Sequence, residues 1–166
     1  MGWMGRFLVF SVAAASLAAP LAARDALGVF GSWGAFRDAR PLRCFAIAEP
    51  PSRFRDAIFR PFAAIASWPG RNARGQLHIR LRKARLAGAP IMLAIGERRF
   101  PLVGGGGDAW APDARSDAAI VAAMRSGSSM SVSTRAENGR AFADAYGLRG
   151  AATAIDAAAL GCAGLR

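Results

Sequence analysis

Residues 75–85 read GQLHIRLRKAR. Leu77, Ile79 and Leu81 alternate strictly with His78, Arg80 and Arg82. An alternation of period two places one set of side chains on each face of a β-strand, so this stretch has a buried apolar face and a wet cationic one. The flanking segments repeat the pattern. Gly88-Ala89-Pro90 turns the chain into IMLAI (91–95), whose Ile91, Leu93 and Ile95 share a face. A turn at 96–99 leads into residues 100–103, which makes a meander.

Upstream, residues 28–37 and 42–48 read as a strand pair around a turn at Asp38-Ala39-Arg40-Pro41. Residues 62–68 form another strand, closed by Pro69-Gly70. Residues 52–59 read as a loop or a single helical turn. Downstream, the four glycines 104–107 read as a flexible loop. They lack the Lys-Ser/Thr and the following helix of a phosphate cradle. Residues 116–125 predict a helix with Ser116 as N-cap and Asp117 in the first turn. Its apolar face carries Ile120 and Met124, and Gly127 sits at its end. Residues 130–135 and 141–148 flank Glu137-Asn138-Gly139, a hairpin signal, and 154–160 predict a second short helix. The expected fold is mainly β, a sandwich with one or two short helices. Its expected core is Trp33, Phe45, Ile47, Leu77, Ile79, Leu81, Ile91, Leu93, Ile120 and Met124.

The N-terminus has a different character. Met1 to Arg6 carries one positive charge, FLVFSVAAASL (7–17) is apolar, and AAPLAA (18–23) is small and broken by proline. This is the layout of a secretory signal peptide over residues 1–23, cut after Ala22 or Ala23. Its apolar stretch is too short to cross about 30 Å of hydrocarbon. No cysteine lies near the junction, so it is not a lipoprotein signal. Residues 24–166, about 140 in all, suffice for a single core. No later segment predicts a membrane span. The reading is one exported domain, periplasmic or at the outer envelope, and not an integral membrane protein after cleavage.

The chain of 166 residues carries a formal charge of +11, with 21 arginines against the single Lys83. Charge of this size draws a protein toward anionic surfaces. A GC-rich genome, which favours Arg, Ala and Gly codons together, is the plainer account of the ratio of Arg to Lys, but not of the net charge. His78, Arg80 and Arg82 on one strand face, with Arg98 and Arg99 nearby in sequence, form the candidate anion-binding patch. Aromatic residues are not interleaved with these cations along the chain, as stacking of single-stranded nucleic acid would require. Anionic lipid headgroups, glycans or an envelope protein are therefore the expected partners, and nucleic acid is not.

Enzymatic motifs are missing. The single histidine, His78, is flanked by arginines rather than by a nucleophile and an orienting carboxylate. The acidic residues have no metal-site or paired-carboxylate spacing, and no Gly-x-Ser-x-Gly elbow is present. No catalytic residue, metal or cofactor is expected. A hydrolase with scattered site residues is the alternative, as is a structural subunit of an envelope complex. Cys44 and Cys162 are the only cysteines. An even number in an exported chain favours a disulfide between them. Two separate thiols or an intermolecular bond are the other readings.

Five segments, FGSW (30–33), RCFAIAEP (43–50), AW (109–110), AIVAAMRSG (119–127) and DAYGLRG (144–150), together resemble the invasion-associated locus B family of exported alphaproteobacterial proteins. The resemblance implies an immunoglobulin-like β-sandwich with small helices, located in the periplasm or outer envelope. Ser32 stands where the family pattern has Asp before Trp33. The pattern's second cysteine just upstream of Cys44 is also absent, which leaves Cys162 as the partner.

Overall fold

The computed structural model describes residues 24–51 and 54–165; the expected signal peptide lies outside them. Strands β1 (Arg24–Phe30), β2 (Trp33–Ala39), β3 (Leu42–Ala48), β4 (Phe62–Trp68) and β5 (Ala73–Arg80) follow one another as antiparallel neighbours. After them come β6 (Ile91–Ile95), β7 (Arg98–Gly105), β8 (Asp108–Trp110), helix α1 (Ala114–Ser126), β9 (Ser129–Arg135), β10 (Ala141–Gly147) and helix α2 (Ala151–Gly161). The ladder runs β1-β2-β3-β4-β5-β8-β7-β6-β9-β10.

β7 makes this ladder a sandwich. Its first half pairs with β6, from Arg98 opposite Ile95 to Leu102 opposite Ile91. Its second half pairs with β8, with Val103 opposite Trp110 and Gly105 opposite Asp108. One strand thus carries the hydrogen bonding from a first layer, β1 to β5 with β8, into a second, β6 with β9 and β10. Both layers turn apolar faces to one core. Trp33, Leu77, Ile79 and Leu81 come from the first layer or its continuation, and Leu93 and Val132 from the second. Ile120 and Met124 of α1 join them. The two ends of the ladder meet across that core, where Trp33 Nε1 donates to the Gly147 carbonyl at 2.9 Å. α2 lies over β1 to β3, and Cys162 at its end is bonded to Cys44 on β3, 118 residues away. Among the described residues no helix is long and apolar enough to cross a membrane.

Several local expectations give way to tertiary contacts. The stretch 28–37 is a hairpin, not one strand, because the chain reverses at Gly31 with φ +59°. β5 stops at Arg80 instead of running to Arg85. Beyond it, the Leu81 and Arg85 N–H groups bond to the carbonyls of Gly107 and Gly106, and the Arg82 N–H bonds to Asp144 Oδ2. The four glycines are no loose loop: Gly104 and Gly105 lie in β7, and 106–107 turn into β8. A side chain at Gly104 would strike the Asp108 carbonyl, so glycine permits this tight pairing.

α1 begins earlier than expected. Asp113, not Ser116, is the N-cap, and its Oδ1 accepts from the Ser116 N–H at 2.7 Å. Asp117 turns inward and accepts the Leu77 N–H at 2.8 Å. β8 is too short to cover the whole edge of β5, so a helix side chain takes over as acceptor. Phe45 and Ile47 do not belong to the core either. Phe45 is buried, but on the opposite face of β3 from Cys44 and Ala46, and Ile47 is half-buried beside it.

Candidate ligand cleft on the outer face of the first sheet

The wet face of β5 is also the outer face of the first layer, and register decides its neighbours. His78 stands opposite Ala64 on β4 and Trp110 on β8. Arg80 stands opposite Phe62 and Asp108. Ala66 stands between Gln76 and Phe45. Period two along β4 puts Phe62, Ala64, Ala66 and Trp68 on this one face. Two alanines between two large rings make a trough with aromatic ends and a smooth floor. The cleft holds about 310 Å³, at the small end of the usual range for ligand sites.

The rings are held in place by their neighbours. The His78 imidazole stacks on Trp110, with centroids 5.2 Å apart and planes 7° from parallel. Phe62 meets the other side of His78 edge-on at 5.1 Å. At the far end the Arg43 guanidinium lies 4.4 Å from the Phe45 centroid and 5.1 Å from that of Trp68. Such cation–π contacts fix both partners at a modest energy each.

The charged groups of the cleft come in clusters centred on carboxylates. Asp38 accepts Arg24 Nε at 2.8 Å and also pairs with Arg43. Partial burial works against the Asp38 carboxylate, but the hydrogen bonds from Arg24 and Arg43 prevail and hold its pKa below the ordinary value. Asp108 bonds His78 Nε2 at 2.9 Å through one oxygen and pairs with Arg80 through the other. Among the described residues, no group of three His, Cys, Asp or Glu could hold a metal.

The structure divides the residues expected to form one basic patch. His78 and Arg80 share Asp108. Arg82, expected on the solvent face, turns away beyond the end of β5. Its side chain is 13% exposed, and its guanidinium lies 3.2 Å from the fully buried Asp144 and sits by the rings of Phe54 and Phe142. Burial raises the Asp144 pKa against the pull of the Arg82 N–H and charge. Arg98 and Arg99 lie at the β6–β7 turn, Arg98 over Phe100 and Arg99 on the carbonyls of Gly96 and Arg98. Arg98 is five residues along β7 from Val103, which faces Trp110, so it stands roughly 16 Å from the cleft at ordinary strand rise.

Conversely, Phe62, Trp68, Trp110, Gln76, Arg24 and Arg43 enter the site without having been expected there, as does Phe45, which was expected in the core. The aromatic interleaving absent along the chain exists across strands. Its one signal in the sequence is FAAIASW (62–68), where Phe62 and Trp68 fall on the same face as two alanines. A larger cavity of about 640 Å³ lies between α2 and β3 to β5, walled by the disulfide. It contains no aromatic ring and a single charged side chain, Arg74. The smaller cleft is therefore the better equipped chemically.

No family model and no curated protein matches the chain. Among solved structures it is similar to the crystal structure of invasion associated protein B from Bartonella henselae, with a TM-score of 0.57. The chain has the fold of invasion associated protein B. The likeness covers 81% of this chain and 96% of the Bartonella protein at 18% identity. At that identity, what the chain shares with invasion associated protein B is the β-sandwich architecture described above.

Proposed function

We propose that this chain is an exported, non-enzymatic envelope protein of the invasion associated protein B type, which holds a component of the envelope against the outer face of its first sheet. One observation carries the reading. The face that alternation makes polar is lined across strands by rings and charged pairs around a cleft, as in a contact surface and unlike an ordinary solvated face. The shared fold and the apolar leader support the compartment, and the charge of +11 favours the approach to an anionic surface.

The hydrolase alternative rests on His78 and Asp108, which have the geometry of a base and its orienting carboxylate. Among the described residues no hydroxyl or thiol is hydrogen-bonded to His78, so nothing there favours an activated serine or cysteine over the binding reading. Co-sedimentation with isolated outer-membrane and cell-wall fractions tests the binding reading. The protein should pellet with one of them, the double variant Trp68→Ala/Trp110→Ala should stay in solution, and Arg98→Glu/Arg99→Glu should still pellet. Equal pelleting of the Trp variant and its parent would remove the cleft as the contact surface.

A further inference from the structure

The cleft's chemistry narrows the ligand class, an inference that rests on the binding reading above. We infer that the cleft between Trp68 and Trp110 is a glycan site, which takes linked pyranose rings of low charge, not a polyanion or an extended peptide.

Three features of the site lead there. The first is the state of its cations. Arg24 and Arg43 converge on Asp38, and His78 and Arg80 on Asp108. A phosphate or sulfate chain laid in the trough would meet Arg24, Arg43 and His78 already paired with these carboxylates, which stand outside the lining itself. Sugar hydroxyls both donate and accept, so they match an edge where guanidinium N–H groups, the His78 ring and the Gln76 amide stand together. The second is the position in the sheet. The cleft lies over β3, β4 and β5, whose backbone groups are engaged in ladders to neighbours on both sides. An extended peptide there would find no free sheet edge, and its own N–H and C=O groups would lose water without partners. A pyranose ring carries its polar groups at the rim and C–H groups on its faces, and these faces suit the electron-rich faces of aromatic rings.

The third is spacing and rigidity. Trp110 faces His78, which faces Ala64, and Trp68 lies four residues further along β4. Two strand spacings across and four residues along give roughly 16 Å between the two tryptophans, room for several linked rings over the alanine floor. The rings stand on paired strands, so little ordering is left to be done on binding.

Tryptophan fluorescence reads the site directly. Trp33 is fully buried, whereas Trp110 is 37% exposed and Trp68 half-buried. The exported protein is titrated with cellohexaose, chitohexaose and mannohexaose, and in parallel with a heparin hexasaccharide and oligo-dT. At least one of the first three should shift the emission, with an affinity that barely moves between about 0.05 and 0.5 M salt. Trp110→Ala or Trp68→Ala should weaken it about tenfold, and Arg98→Glu/Arg99→Glu should leave it unchanged. No response to any of those three overturns the glycan assignment. Heparin or oligo-dT binding that collapses with salt, in place of saccharide binding, overturns it in favour of a polyanion. Pelleting with envelope fractions that persists in either case leaves the binding reading standing, and loss of pelleting as well removes both.

Discussion

Two buried aspartates tie secondary elements to the rest of the molecule, and each makes a distinct demand. Asp117 is a helix residue whose side chain completes a strand by accepting the Leu77 N–H. Burial raises its pKa above the ordinary 3.8, and the Leu77 N–H pulls the other way. An acid raised in the fold contributes stability that is fully present below its unfolded pKa and is lost as pH rises through the folded one. Asp117→Asn keeps an oxygen acceptor without a charge to bury. Its stability relative to the parent should rise between about pH 3 and pH 7, followed by urea unfolding. Asp117→Ala should lose about 1–3 kcal/mol, the cost of orphaning a buried N–H. A flat difference across that range would mean that Asp117 does not titrate with folding.

Asp144 is fully buried with Arg82 as its cationic neighbour, and the pair joins the end of the β5 segment to β10. Arg82→Ala should cost about 3–5 kcal/mol, as removal of one partner of a buried pair does. The double variant with Asp144→Ala should cost less than the two single changes added together. Arg80→Ala, whose pair with Asp108 is partly exposed beside the cleft, should unfold at nearly the parent's urea midpoint. Urea midpoints that fall equally for Arg80→Ala and Arg82→Ala would contradict this division of roles.

At the scale of elements, the molecule depends on how closely its two layers approach at one end. The β1–β2 turn sits against the loop before α2, with Gly31 against Arg149 and Gly150 against Phe30. A Cβ on Gly150 would fall 1.9 Å from the Phe30 carbonyl oxygen, and Gly150 has φ +90°. Both facts exclude a side chain there. Gly150→Ala should force the hairpin off the α2 loop and weaken the nearby Trp33–Gly147 bond. Thermal unfolding should show a drop of several degrees, with faster amide exchange at β2 and β10 than elsewhere. Asp113→Ala removes only the cap of α1 and should lower the thermal midpoint slightly; a drop as large as that of Gly150→Ala would mean the helix start has a further role.

For the whole molecule, the Cys44–Cys162 bond closes most of the described chain into one loop, with a separation of 118 residues. In the chain-entropy account a loop of that length contributes about 4–5 kcal/mol through the unfolded state. Cys44→Ala/Cys162→Ala, or the reduced protein, should lose about that much in urea unfolding while its fluorescence at Trp68 and Trp110 stays native in water. Altered emission on reduction would show that the bond also shapes the cleft.

The sequence by itself determined the β class and the inward set Leu77, Ile79 and Leu81, because period-two alternation is a local property of a strand with one buried face. It also marked Cys44 and Cys162 as a pair to be weighed, and the resemblance carried by its short motifs led to the fold that the structural likeness bears out. Only the tertiary structure decided where β5 ends, that Asp113 caps α1, that Phe45 faces outward, and that Arg82 is buried. It alone assembled Phe45, Phe62, Trp68, His78 and Trp110 into a cleft. The reason is register: residues far apart in the chain become neighbours through the pairing of β3, β4, β5 and β8, and alternation along one strand carries no record of which strand lies beside it.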